Sequence, residues 1–471
     1  MAYPYVVDGT DPVTSPAHAG QNPAPNLFFQ SGNTRYMLAV DSGPAQTGFQ
    51  PFANYSHQCR MYRSDDQGVT WTVKDAANGP VTATSSASYS RQNLQNCYGW
   101  QSGADVYVTC PDPATLAGVF PHRVGVQVAV FHMGADVWDA AIITGSDLVY
   151  ETTGFGDGFA FPQFLLAVRP ADGALIFFYN GAPDPNGDRG WLQIYSGGAW
   201  GAPLQIMGVP ADLTSFHPQG IAFDDDSRAL LVGWECDNTL VARLLYRTFE
   251  ASNSLHSIQT LTTNCNAPSA TQVRVSPRNT VFLQGEWMVP HQSSRPGAFS
   301  DAVFPMLARA PGGSNFPVFT DEEIAPAHDN SDKMQPDYCN FGMAKLGSDL
   351  YFFWMGIISL GFQHLLYEAV QTGGSPGTAW SAKSVLFDSG SENSGLVEPL
   401  SLLSANRVGI ALAIDSDTSS DEDNPLWYFE FGAGSGGGGG PNPIGGGPIV
   451  TAPRSIQLGG RARPNEEGTS Y

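Results

Sequence analysis

The chain of 471 residues is long enough for two or three average domains, although a large all-β fold often runs to this length as one domain. It carries 22 Lys and Arg against 44 Asp and Glu, which gives a formal net charge of −22. This charge opposes phosphate-backbone binding, which needs a basic surface, and it disfavours docking on anionic membranes. We therefore expect neither a nucleic acid nor a membrane as a partner.

Strands connected by tight turns are the main predicted element. Hydrophobic residues make up 42% of the chain, and its 53 Gly and 35 Pro suit a large core surrounded by many turns. Residues 1–24 predict an N-terminal arm, residues 25–432 hold the strand patterns, and residues 433–471 predict a Gly-rich linker and a C-terminal tail. The N-terminus shows no signal-peptide pattern, and no apolar run reaches about 18 residues.

A hairpin pattern recurs seven times within residues 25–432. Each copy has an apolar run, a tight polar turn, and a second run of β-branched and aromatic residues. The predicted turns lie at residues 31–33, 102–103, 171–173, 225–227, 277–279, 347–348 and 405–406. In the fifth hairpin, residues 273–275 and 281–283 are the two predicted strands. Each interval between turns leaves room for a four-stranded sheet.

Such a repeat predicts a β-propeller, because small twisted sheets bury their apolar faces by standing in a ring. We expect seven blades of four antiparallel strands, with six blades as the alternative if one hairpin is an insertion. Residues 191–195, 244–247, 365–367 and 426–429 are predicted third strands. The last blade has no fourth strand before the glycine run, so we expect an N-terminal strand within residues 3–7 to close the ring.

One turn carries a recognisable motif. Residues 64–71 read S-D-D-Q-G-V-T-W, in which Asp66 is suited to accept backbone N–H groups of its own turn and Gly68 to adopt a positive φ. With Ser64, Thr70 and Trp71, this octet resembles the Asp-box (BNR repeat) of sialidases and related propeller proteins. The resemblance implies a turn between the third and fourth strands of a blade, away from the catalytic face. Residues 197–200 and 377–380 keep the Gly and Trp of the motif and lack its Asp.

Polar residues are expected to gather at the end of the ring where the innermost strands begin. Four predicted inner strands start with a polar residue beside proline, which caps a strand without needing a hydrogen bond. The predicted ligand-binding residues are Gln163, His217, Gln219, Glu235, Asp337 and Glu398. The predicted loops between second and third strands add Asp41, His57, Asp184, Asp188, Asp237, Glu286 and Asp415.

These residues allow glycosidase chemistry, which requires two carboxyl groups flanking the scissile bond. Glu398 with Asp337 or Glu235 is suited to that role. The sialidase resemblance would instead imply an arginine triad, and its aromatic-Arg-Ile-Pro signature is missing near the first strand. Arg243, Arg247 and Arg309 are the arginines open to such a role, and we assign no catalytic residue.

No metal site or cofactor is expected from the sequence. The six cysteines form no C-x-x-C pair, and the histidines show no metal-ligand spacing. The acidic run at residues 415–423 lacks the spacing and glycine of an EF-hand loop, so we interpret it as a solvated loop. Trp234 and Trp287 are candidates for stacking on sugar rings, with core packing as the favoured interpretation for both.

The leading functional hypothesis is a non-enzymatic structural or adhesion protein in a bacteriophage virion, as a tail, fibre or head-decoration component. It would bind cell-surface glycan and contact other subunits through its N- and C-terminal segments. The first alternative is a sialidase-like or other propeller glycoside hydrolase. The second is a secreted lectin-like module, for which disulfides Cys97–Cys110 or Cys236–Cys265 would be expected instead of buried thiols.

Overall fold

The fold is seen in a computed structural model that contains strands and, within its described residues, no helix. The structure describes residues 5–6, 28–41, 57–68, 70–74, 79, 81–83, 98–112, 122–139, 143–152, 164–181, 189–207, 213–237, 242–261, 280–294, 303–324, 333–334, 341–358, 363–388, 393–402, 407–415 and 426–432. In these segments there is no helix long and apolar enough to cross a membrane.

The strands form seven sheets, which we number in chain order. After β1 (Tyr5–Val6), sheet 1 contains β2 (Phe28–Ser31), β3 (Thr34–Asp41), β4 (His57–Ser64), β5 (Thr72–Val73) and β6 (Val81–Ala83). Sheet 2 contains β7 (Tyr98–Ser102), β8 (Asp105–Asp112), β9 (His122–His132), β10 (Val137–Trp138) and β11 (Ile143–Thr152). Sheet 3 contains β12 (Phe164–Val168), β13 (Leu175–Gly181), β14 (Arg189–Ser196), β15 (Ala199–Trp200) and β16 (Leu204–Met207).

The remaining strands complete four more sheets. Sheet 4 contains β17 (Leu213–Phe223), β18 (Ala229–Asp237), β19 (Ala242–Phe249) and β20 (Gln259–Thr260). Sheet 5 contains β21 (Val281–Leu283), β22 (Glu286–Ser294), β23 (Val303–Pro311) and β24 (Thr320–Glu323). Sheet 6 contains β25 (Lys333–Met334), β26 (Phe341–Leu346), β27 (Asp349–Ile358), β28 (Gln363–Gln371) and β29 (Ser384–Asp388). Sheet 7 contains β30 (Asn393–Leu402), β31 (Arg407–Asp415) and β32 (Leu426–Gly432), together with β1.

All strand pairs in these sheets are antiparallel. A sheet with five strands has either its outer or its first strand divided in two. In sheet 1, for example, β5 and β6 both pair with β4, whereas in sheet 6 β25 and β26 both pair with β27. Each sheet is therefore four strands wide.

The sheets stand side by side in a ring. The first strands of neighbouring sheets contact each other at β7 and β12, β12 and β17, β17 and β21, and β26 and β30, and β2 of the first sheet contacts β30 of the last. First strands therefore lie innermost. Tyr5 and Val6 pair with Tyr428 and Trp427, so a strand from the N-terminus forms the outer edge of the last sheet. The predictions of an all-β propeller and of an N-terminal closing strand are confirmed.

Most of the predicted hairpins are present because their turns have suitable residues. Asp224 Oδ1 accepts hydrogen bonds from the N–H groups of Asp226 and Arg228, at 3.0 and 2.8 Å, which closes the turn between β17 and β18. The predicted third strands lie within β14, β19, β28 and β32. Gly32 and Gly103 adopt φ values of 60° and 62° in two of the other turns.

The fifth hairpin was assigned wrongly. Residues 281–283 were predicted as its second strand, but Val281–Leu283 is the first strand, β21, and turns through Gln284 and Gly285 into β22. These two turn residues have φ values of 55° and 80°. The apolar run at residues 273–275 and the turn-like residues 277–279 mimicked a hairpin one strand too early. Both of those segments lie outside the described residues.

The Asp-box turn has the hydrogen bonds that its residue types predict. Asp66 accepts from the N–H of Thr70 at 2.8 Å and from its hydroxyl at 2.6 Å. The Ser64 hydroxyl accepts from the N–H of Gly68 at 2.8 Å, and Gly68 has a φ of 86°. Trp71 Nε1 donates to the Gly68 carbonyl at 3.0 Å. The turn joins β4 to β5, which are the third and fourth strands of sheet 1.

A buried ion pair joins the last sheet to the first. Arg35 Nε of β3 lies 2.6 Å from Glu430 Oε1 of β32, and the two side chains are only 1% and 3% exposed. Arg407 Nη1 reaches the other oxygen of Glu430 at 3.1 Å, and the Tyr428 hydroxyl donates to Oε1 at 2.8 Å. Burial and the neighbouring Glu430 carboxylate hold the pKa of Tyr428 well above its ordinary value, so the phenol keeps the proton it donates. We call Arg35, Arg407, Tyr428 and Glu430 the closing cluster.

Aromatic packing covers the closing cluster. The Tyr428 ring stacks on Phe28 with centroids 5.2 Å apart and meets Trp71 edge-on at 5.3 Å. A Cβ atom added to Gly68 would lie 2.2 Å from the Tyr428 ring, so the Asp-box turn approaches sheet 7 as closely as only glycine permits. The predicted wedging of Trp71 between neighbouring sheets is confirmed.

Both predicted terminal segments fall almost wholly outside the described residues. Of residues 1–24 only Tyr5 and Val6 are described, and residues 433–471 are not. The predicted contacts of these segments with other subunits stay predictions.

The substitution Glu430→Gln tests the closing cluster. It keeps the side-chain shape but leaves Arg35 buried beside an uncharged group, so we expect the free energy of unfolding to fall by about 3–5 kcal/mol. Chemical denaturation measures this change. The control Asp225→Asn alters an exposed carboxyl in a hairpin turn and should change stability by less than about 0.5 kcal/mol. A loss below about 1 kcal/mol for Glu430→Gln would show that the pair does not hold the ring closed.

Candidate functional site

The ring has two chemically different ends. At the turn end, each first strand hairpins into the second strand, and the third strand turns into the fourth. At the opposite end, which we call the mouth, first strands begin and second strands end: in sheet 4, Leu213 at the start of β17 lies opposite Asp237 at the end of β18. Asp41, Asp237 and Asp415 each end a second strand and His57 begins a third, as predicted for residues at the mouth.

The predicted ligand-binding residues differ in how far the structure describes them. Gln163 and Asp337, with Asp184 and Asp188, lie outside the described residues. His217 lies on β17 opposite Trp234, and Glu398 lies on β30 opposite Ala411, but only their backbones are described. The structure thus brings His217, Gln219 and Glu235 together on the first two strands of sheet 4, and it places Glu398 on sheet 7.

Glu235 is a buried carboxylate at the mouth. It lies two residues before the end of β18, with Phe216 beside it on β17 and Arg243 beside it on β19. Its Oε1 is 3.6 Å from Arg243 Nη1, and the two side chains are 5% and 43% exposed. Removing a carboxylate from water is costly, and the adjacent guanidinium offsets part of that cost. The guanidinium also leaves one face of the pair open to solvent.

A flat apolar wall supports Glu235. The ring of Phe216 lies directly against the backbones of Gly190 on β14 and Gly233 on β18, where an added Cβ would be 2.7 and 2.6 Å from the ring. Phe216 is fully buried and packs with Met207 of sheet 3 in the core between sheets 3 and 4. The two glycines therefore permit a close seam between these sheets just below the mouth.

Of the three arginines considered for binding an acidic sugar, one is placed for it. Arg247 donates to the carbonyl oxygens of His256, at 2.5 Å, and Ile206, at 2.6 Å. Arg309 is 3% exposed and bonds to Glu286, the Gln371 carboxamide and the Gly374 carbonyl. Both are committed to joining parts of the protein. Only Arg243, exposed beside Glu235, stands at the mouth.

Two mouth assignments were wrong for one shared reason. Glu286 begins β22 next to the Gln284–Gly285 turn, at the turn end of the ring, where it pairs with Arg309. Trp287, the next residue, is fully buried, so its favoured interpretation as core is confirmed. Both follow from the fifth hairpin, whose strands were assigned one element too early. Trp234 is partly buried and packs against the core between sheets 4 and 5.

A buried histidine was not found from the sequence. His291 on β22 is fully buried; its Nδ1 lies 3.2 Å from the Val289 carbonyl and its Nε2 lies 3.7 Å from Asp321 Oδ1. Burial lowers the pKa of His291 below its ordinary value despite the opposing effect of Asp321, so the imidazole is neutral at neutral pH. No spacing pattern in the sequence links these residues, because they meet across the intervening strand β23.

A second titratable group lies buried between sheets 6 and 7. Glu368 on β28 is 2% exposed, and its Oε1 accepts a hydrogen bond from the Ser384 hydroxyl at 2.8 Å. Its Oε2 is buried and has no hydrogen-bond partner among the described residues. Burial raises the pKa of Glu368 from 4.5 to about 7. The group is away from the mouth, so it bears on stability rather than on ligand binding.

Within the described residues no group of three or more His, Cys, Asp and Glu side chains is placed to hold a metal ion. Cys59 is a buried free thiol. Cys97 and Cys265 lie outside the described residues, as do the side chains of Cys110 and Cys236, so both predicted disulfides stay predictions. The acidic loop at residues 416–423 is also outside them.

No protein-family model and no curated protein sequence matches this chain. Solved structures resemble it at low identity. Trypanosoma rangeli sialidase aligns at 10% identity with a TM-score of 0.41, over 85% of this chain and 54% of the sialidase, so the alignment spans about half the length of that protein. The GH93 α-L-arabinofuranosidase of Fusarium graminearum aligns at 11% identity with a TM-score of 0.44, over 70% of this chain and 92% of that one. The subtype N11 neuraminidase-like protein of A/flat-faced bat/Peru/033/2010 aligns at 11% identity with a TM-score of 0.41, over 72% and 88%.

The leading hypothesis from the sequence is corrected by these findings. A non-enzymatic bacteriophage virion component was expected, whereas the similar structures are named as a sialidase, an arabinofuranosidase and a neuraminidase-like protein. They favour the alternative that was kept beside it, a propeller glycoside hydrolase. The expected virion localisation is untested.

The raised pKa of Glu368 predicts a pH-dependent stability. Between about pH 4.5 and pH 7 the unfolded chain loses this proton while the folded chain keeps it, so the free energy of unfolding falls as pH rises through that window. The substitution Glu368→Gln removes this effect. Relative to the wild type, the variant should gain up to about 3 kcal/mol on going from pH 5 to pH 8.

Denaturant titrations at pH 5, 6, 7 and 8 measure this difference. Ser384→Ala is the companion variant: it removes the hydrogen bond that lowers the pKa of Glu368, so its stability should continue to fall to a higher pH. Parallel pH profiles for the wild type and Glu368→Gln would contradict the prediction.

Proposed function

We propose that this chain is a propeller glycoside hydrolase whose active site lies at the mouth, with Glu235 as one of its two catalytic carboxyl groups. One observation carries the proposal: a carboxylate that is 5% exposed stands at the mouth beside the exposed guanidinium of Arg243. A buried carboxylate at the rim of a channel is costly to maintain, and such groups concentrate at functional sites.

Glycoside hydrolysis explains why a carboxylate would be held there. The reaction needs one carboxylic acid to protonate the leaving oxygen and one carboxylate to activate water or attack the sugar. Glu235 supplies one group in this proposal, and Glu398 or Asp337 supplies the other. Glu398 belongs to sheet 7, so a substrate over the ring centre would lie between the carboxyl groups of two different sheets.

The remaining predicted ligand-binding residues complete the proposed site. His217 lies next to the Phe216–Glu235 pair on β17, where an imidazole can donate to or accept from a sugar hydroxyl. Gln163 precedes β12, the first strand of the neighbouring sheet. We propose that both contact substrate. Arg243 neutralises part of the charge of Glu235.

We also propose that the ring has seven blades, one for each sheet, rather than the six of the alternative. Seven four-strand-wide sheets and the pairing of β1 with β32 support this count. A six-bladed ring would require two of these sheets to act as one blade. A crystal structure that shows two neighbouring sheets merged into one would overturn the proposal.

The substitution Glu235→Gln tests the proposed chemistry. On any aryl glycoside or polysaccharide that the wild type hydrolyses, we expect kcat/KM to fall by about 100-fold or more, because acid–base or nucleophilic help is lost. The control Asp225→Asn alters an exposed carboxyl of the same sheet at the turn end and should leave kcat/KM unchanged. Thermal unfolding of both variants establishes that the fold is retained.

Glu398→Gln and Asp337→Asn identify the second group, since one of them should reduce turnover to a similar extent. Absence of turnover across the glycoside panel, or turnover that survives Glu235→Gln in full, would refute the hydrolase proposal.

A further inference from the structure

A polar seam lies deeper in the ring, between the first strands of sheets 4 and 5. Gly220 on β17 touches Thr280, which immediately precedes β21: a Cβ on Gly220 would lie 2.0 Å from the Thr280 hydroxyl oxygen. Gln219, the residue before this contact, occupies a β-bulge, because Pro218 pairs with Gly233 and Gly220 pairs with Val232. Gln219 and Thr280 therefore lie on adjoining innermost strands at the same height in the ring.

Both side chains are buried with an unused polar atom. Gln219 is 6% exposed and Thr280 is 3% exposed. Gln219 Oε1 and Thr280 Oγ1 each have no hydrogen-bond partner among the described residues. An unsatisfied buried polar group costs roughly 1–3 kcal/mol, so two at one seam call for a partner that the chain itself does not supply.

The chemistry of the two groups defines the partner. A carboxamide oxygen only accepts hydrogen bonds, whereas the hydroxyl of Thr280 both donates and accepts. A ligand hydroxyl satisfies both at once, because it can donate to Gln219 and accept from Thr280. Neither side chain is charged, and the net charge of −22 repels anionic ligands at long range. The seam is therefore suited to an uncharged molecule rich in hydroxyl groups.

The position of the seam relates it to the proposed active site. Glu235 lies opposite Phe216, and Gln219 is three residues further along the same strand, away from the mouth. At about 3.3 Å per residue the two positions are about 10 Å apart along the strand. A ligand that enters the mouth past Glu235 reaches the seam if it extends into the ring.

We propose that Gln219 and Thr280 form a subsite that binds a hydroxyl group of an uncharged glycan. This inference rests on the proposed function for the reaction that the bound glycan undergoes, although binding at the seam does not require it. The subsite selects the substrate by its hydroxyl groups and carries out no bond-breaking step.

Two nearly isosteric variants test the subsite. Gln219→Met and Thr280→Val remove the hydrogen-bonding atoms and keep the side-chain volumes close to the originals. On an uncharged oligosaccharide that is hydrolysed, each should lower kcat/KM by about three- to tenfold, the effect of one lost hydrogen bond to an uncharged group. On a short aryl glycoside that reaches only Glu235, kcat/KM should be unchanged.

Gln193→Met is the matched control. Gln193 is also buried with an unpartnered carboxamide oxygen, but it lies on β14, the third strand of sheet 3, away from the ring centre. It should leave both kinetic constants unchanged. If ordered water alone satisfies the seam, Gln219→Met and Thr280→Val will behave as this control does, and the subsite is refuted.

Calorimetric binding separates this proposal from the hydrolase proposal. The probes are neutral arabinan, xylan and galactan oligosaccharides, with polygalacturonate oligosaccharides as charged counterparts. If nothing is hydrolysed but a neutral oligosaccharide binds more weakly to both seam variants than to Gln193→Met, the subsite stands and the hydrolase proposal fails. If no neutral probe binds the wild type, or if binding is equal in all variants, the subsite proposal is overturned. Thermal unfolding of each variant confirms that the measurements concern folded protein.

Discussion

The buried contact between Arg35 and Glu430 joins residues 395 positions apart and determines whether the ring exists as a closed body. Seven sheets in a row would leave one apolar face bare at each end, and neither end sheet can bury its face alone. The closing cluster brings those two faces together. The stacked rings of Phe28 and Tyr428 and the Asp-box turn at Gly68 then exclude water from the pair. A buried ion pair requires close geometric matching, so it specifies which sheet meets which.

The two ends of the ring use their polar residues differently. At the turn end, charged side chains are paired with neighbours: Arg63 with Asp136 of the next sheet, Arg169 with Asp172, and Arg309 with Glu286. These contacts connect sheets and leave little capacity for a ligand. Towards the mouth and along the inner strands, Glu235 meets the half-exposed Arg243, and Gln219 and Thr280 keep unused polar atoms. This asymmetry is what places the proposed active site at the mouth.

Local patterns allowed much of the fold to be predicted. Alternating apolar runs around Gly-, Asn- and Asp-containing turns indicated six of the seven hairpins, the third strands, and the N-terminal strand that pairs with β32. The Asp-box hydrogen bonds followed from the side chains of Ser64, Asp66 and Thr70. The fifth hairpin failed because two consecutive segments both had the composition of a strand–turn–strand unit. The error carried Glu286 and Trp287 to the wrong end of the ring.

The candidate site could be predicted only in part. Its position at the ends of second strands was readable, because strand order determines which ends meet. The burial of Glu235, the pairing of Glu235 with Arg243, and the contact of Gly220 with Thr280 depend on how neighbouring strands and sheets approach each other. Sequence spacing carries no such information. The same holds for His291 and Asp321, which face each other across a strand, and for Glu368, whose raised pKa arises from burial.

The account depends on a ring closed by its own N-terminus, and hydrogen exchange tests that closure most directly. Backbone amides of β32 should be protected in the full chain, because Tyr5 and Val6 cover its outer edge. In a Tyr5→Pro/Val6→Pro variant, which removes the N–H donors of β1, we expect the β32 peptide to exchange faster while β13 in sheet 3 keeps its protection. Equal protection of β32 in the two proteins would contradict the closed ring and the mouth that it forms.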